Sequence, residues 1–217
     1  MVPQLKNILI TAGPTREPID PVRFISNLST GEMGYALAAA AVRKKYRVTL
    51  VSGPTALKPP KGVRFISIHT ARELKRVCTE LFPEHDCLIM TAAVCDFEPA
   101  KTCRHKISSR GGCTLRLKRT PDVLASLAKR KGSRTVIGFC LETRDLVDRA
   151  KAKLREKRLD GIVANYYAPG RSVPFGDRKV KVVLIDSTLK VKRCPAQPKR
   201  QIAERLLAWA GELGGRC

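Results

Sequence analysis

The stretch Lys6-Asn-Ile-Leu-Ile-Thr-Ala12 is a short apolar run that ends at Gly13-Pro14. A nearly continuous apolar run of this length, closed by glycine and proline, predicts a strand of a parallel sheet that is covered on both faces. Five similar runs predict its companion strands, which are Tyr46–Ser52, Val63–Ile68, Asp86–Ala92, Arg134–Phe139 and Gly161–Ala164.

Segments of helical character lie between these strands. A Thr70…Glu73 capping box opens one of them, and Thr120 and Thr143 are predicted to cap two others. The predicted helices are Gly31–Lys45, Thr70–Leu81, Val123–Lys131, a segment from Thr143 to about Arg158, and Gln197–Leu213. Strands that alternate with helices predict an α/β fold, a doubly wound and mostly parallel sheet of the Rossmann-like kind.

Two β-rich segments interrupt this alternation. Residues 99–119 contain two adjacent glycines and alternate like a strand through Cys113–Lys118, which predicts a flap. Residues 166–195 predict a loop and then a hairpin of Lys179–Asp186 with Leu189–Arg193. We therefore predict one nucleotide-binding α/β domain over residues 1–217, with a flap and a β-rich extension.

The composition is strongly basic. The 217 residues include 42 Lys and Arg against 19 Asp and Glu, a net charge of +23. Residues 1–100 hold 13 basic and 9 acidic residues, whereas residues 101–217 hold 29 and 10. This distribution is typical of a protein that binds nucleic acid or a phosphorylated small molecule, and also of a merely solvated basic surface. Nucleic-acid binding is disfavoured because aromatic residues make up only 5% of the chain.

The chain contains no hydrophobic targeting or anchoring signal. No run approaches the roughly 18 apolar residues of a membrane span, and no signal-peptide pattern opens the sequence. Eight cysteines are scattered without a CxxC pair, which favours reduced thiols over disulfides or a zinc site. We expect a cytoplasmic protein that does not bind membranes.

The first candidate site follows the first predicted strand, since ligands of open parallel sheets bind beyond the carboxyl ends of strands. Ser29, Gly31 and Gly34 lie at a predicted helix start, where free N–H groups favour an anion, although such glycines also suit a tight turn. The first glycine of a dinucleotide fingerprint is missing, which disfavours an NAD site. Arg23 and Asn27 could hold a phosphate and a carbonyl oxygen, or could hold their own loop together.

Further candidates lie later in the chain. The strand end Met90–Asp96 has small residues that would let a flat base approach, and its Asp96 could bind a ligand or cap a turn. Lys106, on a glycine-bearing loop, could close over a charged ligand or remain an exposed lysine. Lys153 and Lys157 border the apolar stripe of their helix, which suits either a polyphosphate or side chains extended along the surface.

These motifs, in this order, carry a family resemblance that spans nearly the whole chain. They are Ile10–Asn27, Leu28–Gly34, Val48–Pro54, Thr91–Asp96, Thr120–Val123, Gly138–Thr143 and Asp160–Asn165. The chain resembles phosphopantothenate–cysteine ligase of the bacterial type, also called phosphopantothenoylcysteine synthetase. In many bacteria this enzyme is fused behind a flavin-dependent decarboxylase; that half is absent from this sequence, so no FMN is expected.

The resemblance implies a reaction of coenzyme A synthesis. CTP, with Mg²⁺, would activate 4'-phosphopantothenate to an acyl-cytidylate with loss of pyrophosphate, and the amine of cysteine would then displace CMP. The resemblance also implies a homodimer to which residues 166–195 contribute. An alternative is a basic RNA-binding protein on the same fold, but RNA binding would not need the intact Gly13–Gly34 segment.

The resemblance also implies roles for particular residues. Asn27 would hold the acyl intermediate, Arg23 would support the same pocket, and Lys106 would reach the triphosphate from the flap. The nucleotide site would be formed by Met90, Thr91, Ala92, Asp96, Pro121, Asp122, Val123, Leu124, Phe139, Lys153 and Lys157.

Some positions depart from the family pattern. Glu32, Ser108 and Ser109 stand where the family usually has lysine. With fewer lysines in the flap, we expect weaker binding of a triphosphate, and the preference for CTP over ATP is left open. No metal ligands are identified from the sequence.

Overall fold

A computed structural model describes residues 5–167 and 179–215 of the chain. The strands are β1 (Asn7–Ala12), β2 (Arg16–Asp20), β3 (Arg23–Ser26), β4 (Arg47–Ser52), β5 (Val63–Ser67), β6 (Cys87–Met90), β7 (Phe97–Pro99), β8 (Leu117–Arg119), β9 (Thr135–Glu142), β10 (Gly161–Tyr166), β11 (Val180–Asp186) and β12 (Val191–Gln197). The α-helices are α1 (Glu32–Arg43), α2 (Ala71–Leu81), α3 (Val123–Ala128), α4 (Leu146–Glu156) and α5 (Lys199–Gly214).

The main sheet has the order β12-β11-β10-β9-β6-β1-β4-β5. The strands from β5 across to β10 are parallel, and in chain order they follow the 3-2-1-4-5-6 arrangement of dinucleotide-binding folds. The predicted doubly wound fold is therefore confirmed. The order reverses between β1 and β6, so the crevice beyond their carboxyl ends is where this architecture places a ligand.

Two helical layers cover the sheet because successive residues of a strand face opposite sides. Ile8 and Ile10 of β1 pack in the core on the side of α1 and α5. Leu9 packs in the core on the opposite side, with α2, α3 and α4. The continuous apolar character of β1 thus reflects burial on both faces, as the sequence predicts.

The N-cap predicted at Thr120 is wrong. Asp122 caps α3 instead, since its Oδ1 accepts the N–H of Ala125 at 2.9 Å. The Thr120 hydroxyl donates to the carbonyl oxygen of Cys95 at 2.5 Å. This tertiary hydrogen bond occupies the side chain that the sequence motif assigns to the helix.

The predicted cap at Thr143 is wrong as well. Helix α4 begins three residues later, at Leu146, after Asp145 in the left-handed conformation (φ 48°). The intervening residues are needed because β9 continues to Glu142, beyond its predicted end at Phe139. In contrast, the cap of α2 is confirmed: the Thr70 hydroxyl oxygen accepts the N–H of Glu73 at 3.2 Å.

The β-rich segments differ in part from prediction. The segment after β1 forms a hairpin of β2 and β3, which its loop-like sequence does not predict. The strand predicted over Cys113–Lys118 is confirmed only at its end, where β8 pairs with β7, and residues 101–116 are nearly all exposed and form no strand. The predicted hairpin before the last helix forms as β11 and β12; β11 pairs antiparallel with β10 and so adds the hairpin to the edge of the main sheet. Residues 168–178 of the predicted extension lie outside the described residues.

Candidate functional site

Two neighbouring cavities open at the carboxyl ends of the central strands. Cavity one, of about 180 Å³, lies between the start of α1 and the ends of β6, β9 and β10. Cavity two, of about 430 Å³, lies between the end of β6, the start of α3 and one side of α4. Ala92 and Phe139 line both cavities, so the two spaces meet at these residues.

Cavity two brings together most residues that the sequence predicts for a nucleotide. It is lined by Met90, Ala92, Asp96, Pro121, Asp122, Val123, Leu124, Phe139, Lys153 and Lys157. Thr91, also predicted for the nucleotide, lines cavity one instead, because successive residues at the end of β6 point to opposite faces of the sheet.

Cavity two is lined by three cations, which are Arg119, Lys153 in α4 and Lys157 directly after α4. Lys157 Nζ lies 2.8 Å from Asp122 Oδ2, and Lys153 Nζ lies 3.6 Å from Glu142 Oε1. Burial acts to raise the pKa of Asp122, but its hydrogen bonds with Lys157 and with the N–H of Ala125 outweigh burial and lower that pKa. Asp122 is therefore ionised at neutral pH and fixes the position of Lys157.

Cavity one is built on the start of α1. Gly31 is the N-cap, with φ at 80°, and no side chain caps the helix there, so its first N–H groups remain available. Gly34 is also required for packing: a Cβ at this position would lie 2.5 Å from the Cβ of Ala12 and 2.6 Å from Oγ1 of Thr91. The Ser29 hydroxyl oxygen accepts the N–H of Gly31 at 3.3 Å. Gly31 and Gly34 are thus consistent with both interpretations, since they allow a tightly packed turn and leave the helix start open to an anion.

Asn27 lines neither cavity, but it contacts a residue next to the place where the cavities meet. Its Nδ2 donates to the carbonyl oxygen of Ala93 at 3.0 Å, and Ala93 lines cavity one next to the shared Ala92. The Ala93 backbone is itself fixed, since its N–H donates to Gly13 and its carbonyl oxygen accepts the N–H of Thr15. The exposed amide of Asn27 is therefore held against a rigid strand end.

Arg23 and Lys106 line neither cavity. The Arg23 guanidinium lies 2.7 Å from Asp20 Oδ2 and donates to the carbonyl oxygen of Ile107 at 2.5 Å. The N–H of Ile107 donates to the same Asp20 oxygen at 3.1 Å. These contacts attach the flap to the β2–β3 hairpin directly beside the exposed Lys106.

Protonation of Asp20 is expected to loosen the flap at Ile107. Burial acts to raise the pKa of this carboxylate, but hydrogen bonds from the N–H groups of Ile107, Val22 and Arg23 and from the Arg23 side chain outweigh burial and lower it from 3.8 to about 2. Because the folded-state pKa is the lower one, the ionised group stabilises the fold above pH 3.8, and this contribution is lost as the pH falls through about 2. Asp20→Asn should therefore destabilise the protein at pH 7, and the difference from wild type should shrink below pH 4.

Urea unfolding at several pH values measures this difference, and limited trypsin digestion reports on the flap. Asp20→Asn should be cleaved faster within residues 101–119 at pH 7, because that segment is rich in lysine and arginine. A stability difference that stays constant down to pH 2 would contradict the assigned role of the Asp20 carboxylate.

Three residues that the sequence analysis does not assign to the site also line cavity one. Lys199, at the start of α5, places Nζ 2.5 Å from Oε2 of Glu32, which is also in the lining. Asn165, at the end of β10, contributes a buried Oδ1 without a hydrogen-bond partner among the described residues. The rule that strand ends line the site could have indicated Asn165, whereas nothing local to Lys199 indicates its place.

The thiols at the site are poor nucleophiles. Burial raises the pKa of Cys140 to about 11, and burial also raises the pKa of Cys95. Both thiols, which line the two cavities, are therefore protonated at neutral pH. The site thus favours chemistry by positioning and charge over covalent catalysis by cysteine.

Comparison with known proteins agrees with this arrangement. The family model described as "DNA/pantothenate metabolism flavoprotein C-terminal domain" matches residues 4–213. The chain belongs to this family. Its fold and order of motifs are accordingly those of the family, and membership does not favour the RNA-binding alternative.

Curated relatives of this family member are longer proteins. The coenzyme A biosynthesis bifunctional protein CoaBC of Bacillus subtilis is 49% identical over 162 residues, which cover 74% of this chain and 40% of that protein. The CoaBC protein of Borreliella burgdorferi is 37% identical over 206 residues, which cover 93% of this chain and 51% of that protein. The chain thus spans about half or less of these relatives.

A solved structure agrees over the full domain. The crystal structure of the C-terminal domain of a CoaBC bifunctional protein superposes with a TM-score of 0.82 and 36% sequence identity. The match covers 97% of this chain and 96% of that one. Within the part of this chain that the structure describes, no helix is long and apolar enough to cross a membrane.

Proposed function

We propose that this protein is a phosphopantothenate–cysteine ligase, which joins 4'-phosphopantothenate and cysteine at the expense of CTP in coenzyme A biosynthesis. The observation that carries the proposal is the pair of cavities that meet at Ala92 and Phe139. A ligase of this kind must bring an acid and a nucleotide together at one point, and two connected cavities provide this arrangement.

Cavity two suits the nucleotide. The small side chain of Ala92 and the apolar Val123 and Leu124 leave room for a base, while Lys153 and Lys157 offer cations to phosphate oxygens. Cavity one suits the acid, because the start of α1 offers free N–H groups to its phosphate. The carboxylate of the acid would then lie near the junction, within reach of the α-phosphate.

In the first step, a carboxylate oxygen of 4'-phosphopantothenate attacks the α-phosphorus of CTP. A new oxygen–phosphorus bond forms, the bond to the leaving pyrophosphate breaks, and an acyl-cytidylate results. Both reactants are anionic, so the attack requires cations that neutralise the phosphate oxygens. Lys153 and Lys157 supply this charge, and Lys106 would add to it if the flap closed.

In the second step, the amine of cysteine attacks the acyl carbon. The carbon–nitrogen bond forms, the bond to CMP breaks, and the amine loses a proton to solvent. Negative charge develops on the carbonyl oxygen during this attack, and a positioned hydrogen-bond donor stabilises it. Asn27, held beside the junction by Ala93, is the donor that we assign to this oxygen.

Mg²⁺ fits this scheme as a companion of the triphosphate. Among the described residues, no three His, Cys, Asp or Glu side chains lie together as a metal site. Mg²⁺ is often held by phosphates with one or two carboxylates, and Asp96 offers such a carboxylate in cavity two. When bound, the ion would neutralise charge on the phosphate oxygens.

We also propose a homodimer to which residues 166–195 contribute.

A pyrophosphate-release assay tests the function. The purified protein should release pyrophosphate from CTP only when 4'-phosphopantothenate is present, and addition of cysteine should yield phosphopantothenoylcysteine and CMP. A parallel assay with ATP measures nucleotide preference. Absence of acid-dependent pyrophosphate release with both nucleotides would refute the proposal.

Lys157→Met should weaken nucleotide binding specifically. Loss of one charge-assisted contact to a phosphate is expected to raise the KM for CTP about tenfold or more, while the KM for 4'-phosphopantothenate stays the same. Arg155→Met is the matched control, because it removes a cation from an exposed position of the same helix, outside cavity two. Equal effects of the two substitutions would indicate a general charge effect and contradict the assigned contact.

A further inference from the structure

A nearly buried ion pair forms part of the wall of cavity one. The Lys199 side chain is 10% exposed, the Glu32 side chain is 25% exposed, and Nζ lies 2.5 Å from Oε2. The two residues are 167 positions apart and come from the first turns of α5 and α1, which pack against each other on one face of the sheet. Both line the cavity.

The first position of a helix is an unfavourable place for a lysine. Lys199 is the first residue of α5, where the partial positive charge of a helix start disfavours a cation. Burial of an ammonium group is costly, and a buried ion pair seldom stabilises a protein more than apolar side chains of similar size. The pair is therefore better explained by what it does in the cavity.

The carboxylate of Glu32 lies in the wall of cavity one, at the start of α1. It belongs to the first turn of α1, where free N–H groups attract negative charge, and it also contacts the ammonium group of Lys199. A phosphate group in cavity one would be attracted by the same ammonium group and could also accept hydrogen bonds from the free N–H groups at the start of α1. The lining of cavity one also includes Asn165, whose buried Oδ1 has no hydrogen-bond partner among the described residues.

We propose that Glu32 is an internal competitor for the phosphate of the acid substrate, and that Lys199 is the specificity residue for which they compete. This inference rests on the proposed function. When the phosphate enters, the Glu32 carboxylate leaves Lys199, and the ammonium group transfers its contact to the phosphate. Lys199 thereby favours phosphorylated over unphosphorylated acid, and Glu32 sets the affinity by opposing the exchange.

Two substitutions should move the affinity in opposite directions. Lys199→Met is expected to raise the KM for 4'-phosphopantothenate about 10- to 100-fold, because a charge-assisted contact is lost, and to leave the KM for CTP unchanged. Glu32→Gln is expected to lower the KM for 4'-phosphopantothenate several-fold, since the competing charge is removed. The preference for 4'-phosphopantothenate over pantothenate should fall in Lys199→Met only.

Arg200→Met is the matched control. Arg200 is the next residue of the same helix, its side chain is 76% exposed, and it pairs with Glu204 on the surface instead of facing the cavity. This variant should keep wild-type KM values for both substrates. Lys199→Arg should retain most of the preference for the phosphorylated acid, which a purely structural role of the ion pair would not require.

The outcomes separate the inference from the function on which it rests. An active wild-type protein in which Glu32→Gln raises the KM for the acid, or in which Lys199→Met leaves the preference unchanged, overturns the inference alone. Absence of activity in the wild-type protein overturns the proposed function. In that case, thermal unfolding with inorganic phosphate still tests whether phosphate displaces Glu32 from Lys199. Phosphate should raise the melting temperature of Glu32→Gln more than that of wild type. If Lys199→Met does not fold, the KM of Glu32→Gln for 4'-phosphopantothenate decides whether the inference holds.

Discussion

Asn27→Asp is expected to reduce turnover by about 10²- to 10³-fold, the range found when one donor to a developing oxyanion is removed. Aspartate has the shape of asparagine, but its ionised side chain cannot donate a hydrogen bond. It would also place a negative charge near the carbonyl oxygen at which negative charge develops. The rate of the second step, attack of cysteine on the acyl-cytidylate, should therefore fall most.

Rapid-quench kinetics can separate the two steps. In the first, the carbonyl oxygen gains little charge, so we expect Asn27→Asp to release up to one equivalent of pyrophosphate and then to accumulate the acyl-cytidylate. Asn27→Ala removes the donor without adding a charge and should be impaired less than Asn27→Asp. The urea midpoints of both variants check that the fold persists, since the Asn27 side chain is exposed and its one described hydrogen bond is to Ala93. Unchanged turnover in Asn27→Ala would remove Asn27 from its assigned role.

Several residues that the sequence predicts for the nucleotide site meet at one cavity because they lie near the ends of strands. Met90 and Asp96 lie at or after the end of β6, and Phe139 lies within β9, so the parallel sheet brings them to one edge. Lys153 in α4 and Lys157 directly after it reach the same cavity because helical spacing places residues four apart on one side. Local periodicity and the topology of the fold are sufficient to suggest Met90, Asp96, Lys153 and Lys157, whereas Phe139 is implied by the family resemblance.

Other features depend on contacts that no local pattern contains. Glu32 and Lys199 meet only because α1 and α5 pack on the same face of the sheet. Thr120 has the sequence of a helix cap, but its hydroxyl is used by Cys95 from another segment. Arg23, predicted for the pocket, is held by Asp20 and Ile107 instead of lining either cavity. In each case a tertiary partner determines the position of the side chain.

Local sequence also fails to predict the backbone structure of the flap. Alternation through Cys113–Lys118 predicts a strand, yet a strand forms only where a neighbour pairs with it, and only β8 meets such a neighbour in β7. Glycines at 111 and 112 have open space around them and add no packing that would extend the ladder. Local alternation therefore overestimates the strand, since it carries no information about pairing.

Gly53→Ala is expected to destabilise the protein by about 3 kcal/mol or more, among the larger effects of a single substitution. A Cβ at position 53 would lie 1.8 Å from the carbonyl oxygen of Pro14 and 2.8 Å from its carbonyl carbon. Backbone atoms cannot rotate away as a side chain can, so the Pro14 segment would have to shift. That segment is fixed by the bridge between Pro14 and Ala93 and by the hydrogen bond from the Gly53 N–H to Ala12.

Such a shift would disturb the site as well as the fold. The Pro14 segment joins β1 to the hairpin that carries Asn27, and Ala93 lies beside the junction of the two cavities. We therefore expect Gly53→Ala to lower turnover even at temperatures at which the variant is folded. Equilibrium urea unfolding measures the stability loss, and assays well below the midpoint measure the residual activity.

Gly211→Ala provides the control for removing a glycine. Gly211 lies in α5, and a Cβ there would meet no atom within 4 Å, so the added methyl group should raise helix stability by about 0.5–1 kcal/mol. The free energy of unfolding should fall in Gly53→Ala and rise in Gly211→Ala, because backbone atoms fill the space at position 53 and the space at position 211 is open. A loss at Gly53 of less than about 1 kcal/mol would mean that the Pro14 segment can move at little cost, and the rigid junction assigned to the site would then be wrong.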